Sequence, residues 1–115
     1  MGFLMQKPVY DLKSDSIYFK IRSGKVYESM ELSSHILVDL SLRNNSIIGI
    51  EILGASIFLS SLTSRKIDKD TIKNRLLIYL PPEDKEEVKL GFSLGNEKYV
   101  YAIPKLYTSP IVAGC

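Results

Sequence analysis

Two carboxylates, Asp39 and Glu51, are the residues whose types and spacing could support chemistry in this chain. Each lies in a run of alternating aliphatic residues, which is typical of a half-buried strand, and the two runs flank the polar turn Asn44-Asn45-Ser46. A three-residue loop keeps the large aliphatic residues on one face of the resulting hairpin. It also places Asp39 directly opposite Glu51 on the other face.

Two interpretations of this pair stay open. Like charges directly opposite each other on two strands repel. Either a neighbouring Lys or Arg or exposure to water compensates them, or the pair forms a site. Such a site would perform general acid–base chemistry or hold a hard cation. The one histidine, His35, shares the outward face but lies two residue pairs away, and we expect it to be a surface residue. The sequence therefore favours a protein without catalytic residues or a cofactor.

Hydrophobic periodicity predicts the strands around this hairpin. Residues 17–21 alternate as a first clear strand, Ser23-Gly24 is a turn, and a second strand covers about 26–32. A two-residue loop in this turn would place Glu28 opposite Phe19 and a three-residue loop would place it opposite Lys20, and charge pairing favours the second. With the central hairpin, these strands form an antiparallel meander of about four strands. The preceding turn carries Asp11 and Asp15, which we expect to accept hydrogen bonds from nearby backbone amides.

A helix is predicted over about 55–62, with Ser56 as its N-cap and Phe58 as its anchor on the sheet. Residues 63–74 form a polar connection with a helical turn capped by Asp68.

The second half of the chain contains a short apolar strand over 76–80 and a C-terminal hairpin over about 87–103. Gly95-Asn96 is the hairpin turn, and it places Phe92 opposite Tyr99. The predicted fold class is α+β, mainly antiparallel β, in a single domain over 1–115.

Composition narrows the class of protein. The hydrophobic fraction is 45%, the charged fraction is 24% and the net charge is +2, as expected for an ordinary soluble domain and not for a dedicated nucleic-acid binder. The only cysteine, Cys115, is the last residue, so an internal disulfide is excluded. No signal-peptide core or membrane-spanning apolar run is present, and we expect a cytoplasmic protein.

The first half of the chain resembles the small prokaryotic domain-of-unknown-function family 2283 over about residues 9–62. The resemblance rests on Tyr10-Asp11, Asp15, Ile17-Tyr18, Glu28, Glu31, Val38-Asp39 and the segment Gly49-Ile50-Glu51-Ile52-Leu53-x-Ala55-Ser56. It departs from the family at 43–46, where the family usually has a turn with Asp and Gly.

The resemblance implies a ββββα unit over 9–62, with 63–115 as a β-rich extension that the family does not explain. It implies no established activity, and it suggests work as a partner of another small protein. If the family pattern marks a site, the candidates are Asp11, Asp15, Tyr18, Asp39 and Glu51.

Three functional hypotheses follow. The favoured one is a protein-interaction module that forms a homodimer or binds another small protein, with Leu37, Leu53 and Tyr18 as interface candidates because Leu37 faces Leu53 in the predicted register. The second is a metal-binding or hydrolytic site at Asp39 and Glu51. The third is weak nucleic-acid binding through Lys20, Arg22 and the basic stretch 65–75, with Tyr18 as a stacking surface; the near-neutral charge weighs against it.

Overall fold

The computed structural model describes residues 5–41, 47–82 and 87–104, which form eight strands and two helices. In chain order these elements are β1 (Val9–Asp11), β2 (Ser16–Lys20), β3 (Val26–Glu31), β4 (Ile36–Ser41), β5 (Ile47–Leu53), α1 (Ala55–Thr63), α2 (Lys69–Arg75), β6 (Leu76–Tyr79), β7 (Glu87–Leu94) and β8 (Glu97–Pro104). All strand pairs are antiparallel, and the predicted α+β class is confirmed.

The first five strands form one sheet in the order β1-β2-β5-β4-β3. The predicted simple meander is therefore wrong at one step. β2 pairs with β5 instead of β3, and after β2 the chain crosses to the far edge of the sheet to form β3. Glu28 lies opposite Leu40, not opposite Lys20. Pairing β2 with β5 joins Ile17 and Phe19 to the aliphatic row of the central hairpin, and this burial outweighs one exposed charge pair.

The central hairpin differs from its predicted register by two residues. Val38 lies opposite Ile50 and Asp39 opposite Gly49, and a bulge follows between Asp39 and Leu40. Asp39 is therefore not opposite Glu51. A shift of two residues keeps every side chain on its predicted face, so the alternation of the sequence could not reveal it. The predicted turn lies in 42–46, outside the described residues.

The predicted helix is confirmed as α1, but its start is different. Gly54 is the N-cap, with a left-handed φ of 60°, and Ser56 lies inside the first turn. Phe58 and Leu59 are buried, and the Phe58 ring meets the rings of Phe92 and Tyr101 at centroid distances of 6.1 and 5.1 Å. These edge-on contacts connect α1 with the second sheet.

The predicted cap of the second helical segment is also present. Asp68 precedes α2, and its carboxylate accepts a hydrogen bond of 2.8 Å from the amide of Thr71.

The second sheet has the order β6-β7-β8. The predicted hairpin register is confirmed, since Phe92 lies opposite Tyr99 and Leu94 opposite Glu97 across the turn at Gly95. At the edge of this sheet opposite β8, Gln6 forms a bridge of two backbone hydrogen bonds with Ile78 of β6. Buried residues of both sheets and both helices form one apolar cluster, which includes Ile17, Val38, Ile50, Ile72 and Phe92. Within the described residues, the helices are too short or too polar to cross a membrane.

A Gly91→Ala substitution tests the close packing of the second sheet. Gly91 lies opposite Tyr79, and a Cβ atom at position 91 would overlap the Tyr79 ring. We expect a loss of about 1–3 kcal/mol in the free energy of unfolding, measured by urea denaturation, because Tyr79 must leave its buried position.

The matched experiment places Gly91→Ala in a Tyr79→Leu background. The added methyl group should be less destabilising there, since the planar ring is gone. Equal effects in the two backgrounds would contradict this account of the packing.

Candidate functional site

Asp15 is the most connected polar residue in the described part of the chain, although it was predicted only to bond nearby amides. Its side chain accepts hydrogen bonds from the Tyr10 hydroxyl at 2.7 Å, the Ser56 hydroxyl at 2.6 Å and the Ser56 amide at 3.1 Å. Its carbonyl accepts the amide of Ala55 at 2.8 Å. Asp15 therefore satisfies the first amides of α1 across 41 residues of sequence, in place of a local cap.

The protonation states of this cluster follow from its contacts. Burial alone would raise the pKa of Asp15, but the hydrogen bonds from Ser56 and Tyr10 outweigh burial and lower it. Burial and the Asp15 carboxylate raise the pKa of Tyr10 far above its usual range. At neutral pH the Asp15 carboxylate is therefore charged and the Tyr10 phenol is neutral. The carboxylate accepts hydrogen bonds from this phenol and from the first turn of α1. Asp15 and Tyr10 are therefore engaged in hydrogen bonds that join the first turn of the sheet to α1.

Asp11, in the same turn, is exposed and bonds locally as predicted. Its carboxylate accepts the amides of Lys13 at 2.9 Å and Ser14 at 3.4 Å.

A second polar cluster lies on the outward face of the five-stranded sheet. Asp39 accepts hydrogen bonds from the Tyr18 hydroxyl at 3.0 Å and the Ser29 hydroxyl at 2.6 Å. Gly49 of β5 lies opposite Asp39, between the strands β2 and β4. The Tyr18 phenol extends over the Cα of Gly49, so a side chain at position 49 would collide with this phenol. Burial raises the pKa of Tyr18, as do its hydrogen bond to Asp39 and the charges of Asp39 and Glu51.

The two predicted metal candidates are near each other, but on adjacent rows of the sheet. Glu51 lies between Tyr18 on β2 and Leu37 on β4, whereas Asp39 faces Gly49. In the part of the chain that the structure describes, no group of three or more His, Cys, Asp or Glu side chains could hold a metal ion. The contacts of Asp39 with two hydroxyl groups explain how its charge is accommodated, and a metal at Asp39 and Glu51 stays a prediction.

The interface candidates also lie on this face, where all three are half-buried. Tyr18, Glu51 and Leu37 form one row across the sheet, and Leu53 pairs with Ser16 in another row. Leu37 thus does not face Leu53, and a carboxylate separates Leu37 from Tyr18. The apolar patch predicted from the register is interrupted.

His35 is held beside the start of α1. Its Nδ1 lies 2.7 Å from the carbonyl oxygen of Leu53, and its ring lies against Phe58 at a centroid distance of 6.1 Å. A carbonyl oxygen only accepts, so Nδ1 carries the hydrogen, and Nε2 of the neutral ring is an acceptor. This defined orientation was not predicted, because the sequence does not show that His35 and Gly54 are neighbours.

The basic stretch 65–75 is divided among several structural contacts. Arg65 forms an ion pair with Glu97 on β8. Lys73 and Arg75 lie in the last turn of α2, where positive charge is favourable. Nucleic-acid binding through this stretch stays a prediction.

Residues 7–56 match the model of a family described as Protein of unknown function (DUF2283). The predicted resemblance is confirmed, and the matched segment runs from the residues before β1 to the first turn of α1. Comparison with curated proteins and with solved structures gave no match. The matched segment contains both Asp15 and Ser56, so it includes both partners of the hydrogen bonds that join the first turn of the sheet to the start of α1.

An Asp15→Asn substitution tests the role of the carboxylate at the start of α1. Asparagine tolerates the left-handed φ of 54° at this position, so the backbone stays unstrained. We expect a loss of about 2 kcal/mol of unfolding free energy at pH 7, because charge-assisted hydrogen bonds to Ser56 and Tyr10 are weakened.

The pH dependence gives a second measurement. A depressed folded-state pKa means that Asp15 stabilises the fold above its unfolded pKa, and that this contribution is lost as the pH falls through the folded value. Urea unfolding between about pH 5 and pH 2 should therefore show a steeper decline for the wild type than for Asp15→Asn. Asp11→Asn, in the same turn but exposed, is the control; equal effects of the two substitutions would contradict the assignment.

Proposed function

We propose that this protein is a non-catalytic protein-interaction module that forms a homodimer through the free edge of β8. The observation that carries the proposal is that this edge is regular and unpaired among the described residues. Among the described residues, β8 pairs only with β7, and it does so over its entire length without a bulge. Its central residues Tyr99, Val100 and Tyr101 are uncharged and favour strands, and Val100 is 50% exposed. Such an edge readily pairs with another strand.

The hairpin geometry determines which backbone groups the edge presents. Leu94 and Glu97 flank a two-residue turn, and residues in this position form a hydrogen-bonded pair. Alternation along the strand then directs the backbone groups of 97, 99, 101 and 103 toward β7. The amide and carbonyl groups of Lys98, Val100 and Ala102 point away from β7, to the side on which a partner strand would pair.

The other strand edges in the described chain carry features that oppose pairing. β1 has only three residues, and Gln6 covers β6 at Ile78. β3 has a bulge between Val26 and Glu28. Glu28 pairs with Leu40 and so lies on the core side of β3, where its Oε1 is buried without a hydrogen-bond partner. Bulges and inward-pointing charges are known protections of edge strands.

On β8, by contrast, charged residues are confined to the hairpin end, at Glu97 and Lys98. Because β1, β3 and β6 carry features that oppose pairing and β8 does not, β8 is the edge strand best suited to pair with a partner strand. The absence of an internal disulfide, given a single cysteine, supports a reducing compartment and hence a cytoplasmic dimer.

A Val100→Lys substitution tests this proposal. Native mass spectrometry and analytical ultracentrifugation at micromolar concentration should give the wild type a mass of twice 13.0 kDa. A lysine in the centre of the edge should weaken the dimer at least about tenfold, because its charge must be desolvated or opposed by a second copy. Val100 is half exposed, so the thermal stability of the monomer should change little.

The control is Val26→Lys, since Val26 is 47% exposed on the protected edge β3. This variant should remain dimeric. A monomeric wild type, or equal dimerisation of Val100→Lys and wild type, would overturn the proposal.

A further inference from the structure

A groove runs between α1 and β8, with a volume of about 300 Å³. Its lining consists of His35, Ile57, Phe58, Ser61, Leu62 and Tyr101. Ile57 is 65% exposed on the helix side, and Tyr101 lies on β8, whose outer edge pairs with no other strand among the described residues. The groove is therefore continuous with the edge through which the dimer is proposed to form.

The His35 ring gives the groove a hydrogen-bond acceptor of fixed orientation. Because Nδ1 of His35 donates to the Leu53 carbonyl, Nε2 of the neutral ring carries a lone pair and lacks a hydrogen. The ring is kept in place by Phe58 on one side and by Gly54, where a side chain would approach it to 3.3 Å. A ligand that complements this groove is a flat apolar group with a hydroxyl donor at its tip, which is the chemistry of a tyrosine side chain.

Strand geometry limits how two copies of β8 can pair. The outward-pointing residues are even-numbered, so a two-fold axis passes through a residue and not between two residues. An axis at Tyr101 would place Pro104 opposite Lys98, and proline has no amide to donate. An axis at Tyr99 shortens the overlap at the hairpin end.

An axis at Val100 avoids both problems. It pairs Lys98 with Ala102 of the partner subunit, so that no like charges are opposed, and it allows about six backbone hydrogen bonds across the interface. In this register Tyr99 of the partner subunit lies directly opposite Tyr101, on the face of β8 that lines the groove.

We infer that the partner's Tyr99 completes the groove: its ring covers the apolar wall of Ile57, Leu62 and Tyr101, and its hydroxyl donates to Nε2 of His35. The two-fold axis forms two such sites in each dimer. This inference rests on the proposed dimer, and it adds the residue that fixes its register. Paired aromatic rings opposite each other on adjacent strands are favourable, and burial of the exposed Ile57 adds apolar contact.

Tyr99→Phe tests the inference with the least change in shape. We expect the dissociation constant of the dimer to rise about tenfold, because two symmetry-related hydrogen bonds are lost while the rings remain. The matched control is Tyr27→Phe, since Tyr27 is a 39% exposed tyrosine on the protected strand β3. This control should leave the dissociation constant unchanged. In a His35→Gln background, Tyr99→Phe should have a smaller effect than in the wild type.

A direct measurement uses the one histidine of the chain as a probe. In a dimer mixed from ¹³C-labelled and unlabelled chains, an isotope-filtered nuclear Overhauser experiment should show contacts between the His35 ring and the partner's Tyr99. If these contacts are absent and Tyr99→Phe binds within about twofold of wild type while Val100→Lys still dissociates, the groove assignment is wrong and the β8 dimer stands. If the wild type is a monomer, the dimer and the groove assignment are both wrong.

Discussion

The contact between Asp15 and the start of α1 is the interaction on which the rest of the structure depends. Gly54 begins the helix without a side chain to cap it, and the amides of Ala55 and Ser56 both bond to Asp15 instead. A buried helix start without such an acceptor would leave polar groups unsatisfied. Asp15 is 9% exposed, and its hydrogen-bond donors keep the carboxylate in its charged form, so one residue joins the first turn of the sheet to the helix.

The position of α1 then sets the relation between the two sheets. Phe58, four residues after Gly54, lies against Phe92 and Tyr101 of the second sheet and against His35 at the end of the first. The segment that resembles the family of unknown function ends at Ser56, just before this contact. The family-like part thus supplies the platform and the anchored helix start, and the extension supplies the sheet that α1 packs on.

The two sheets differ in how their edge strands are protected, and the proposed dimer is based on this difference. A bulge and an inward carboxylate, Glu28, protect β3. β8 combines a regular backbone with an exposed apolar residue, Val100, and it borders the groove that contains the His35 ring. The polar cluster of Tyr18, Asp39 and Ser29, by contrast, bonds internally and is consistent with a role in fixing the outward face of the sheet.

The sequence by itself determined the elements whose contacts are local. The C-terminal hairpin, its register around Gly95, the helix α1 and the Asp68 cap were predictable because their partners lie within a few residues. Only the tertiary structure decided the pairing of β2 with β5, the two-residue shift that separates Asp39 from Glu51, and the bond from Ser56 to Asp15. These depend on burial summed over distant segments, and a period of two cannot distinguish registers that leave each side chain on the same face.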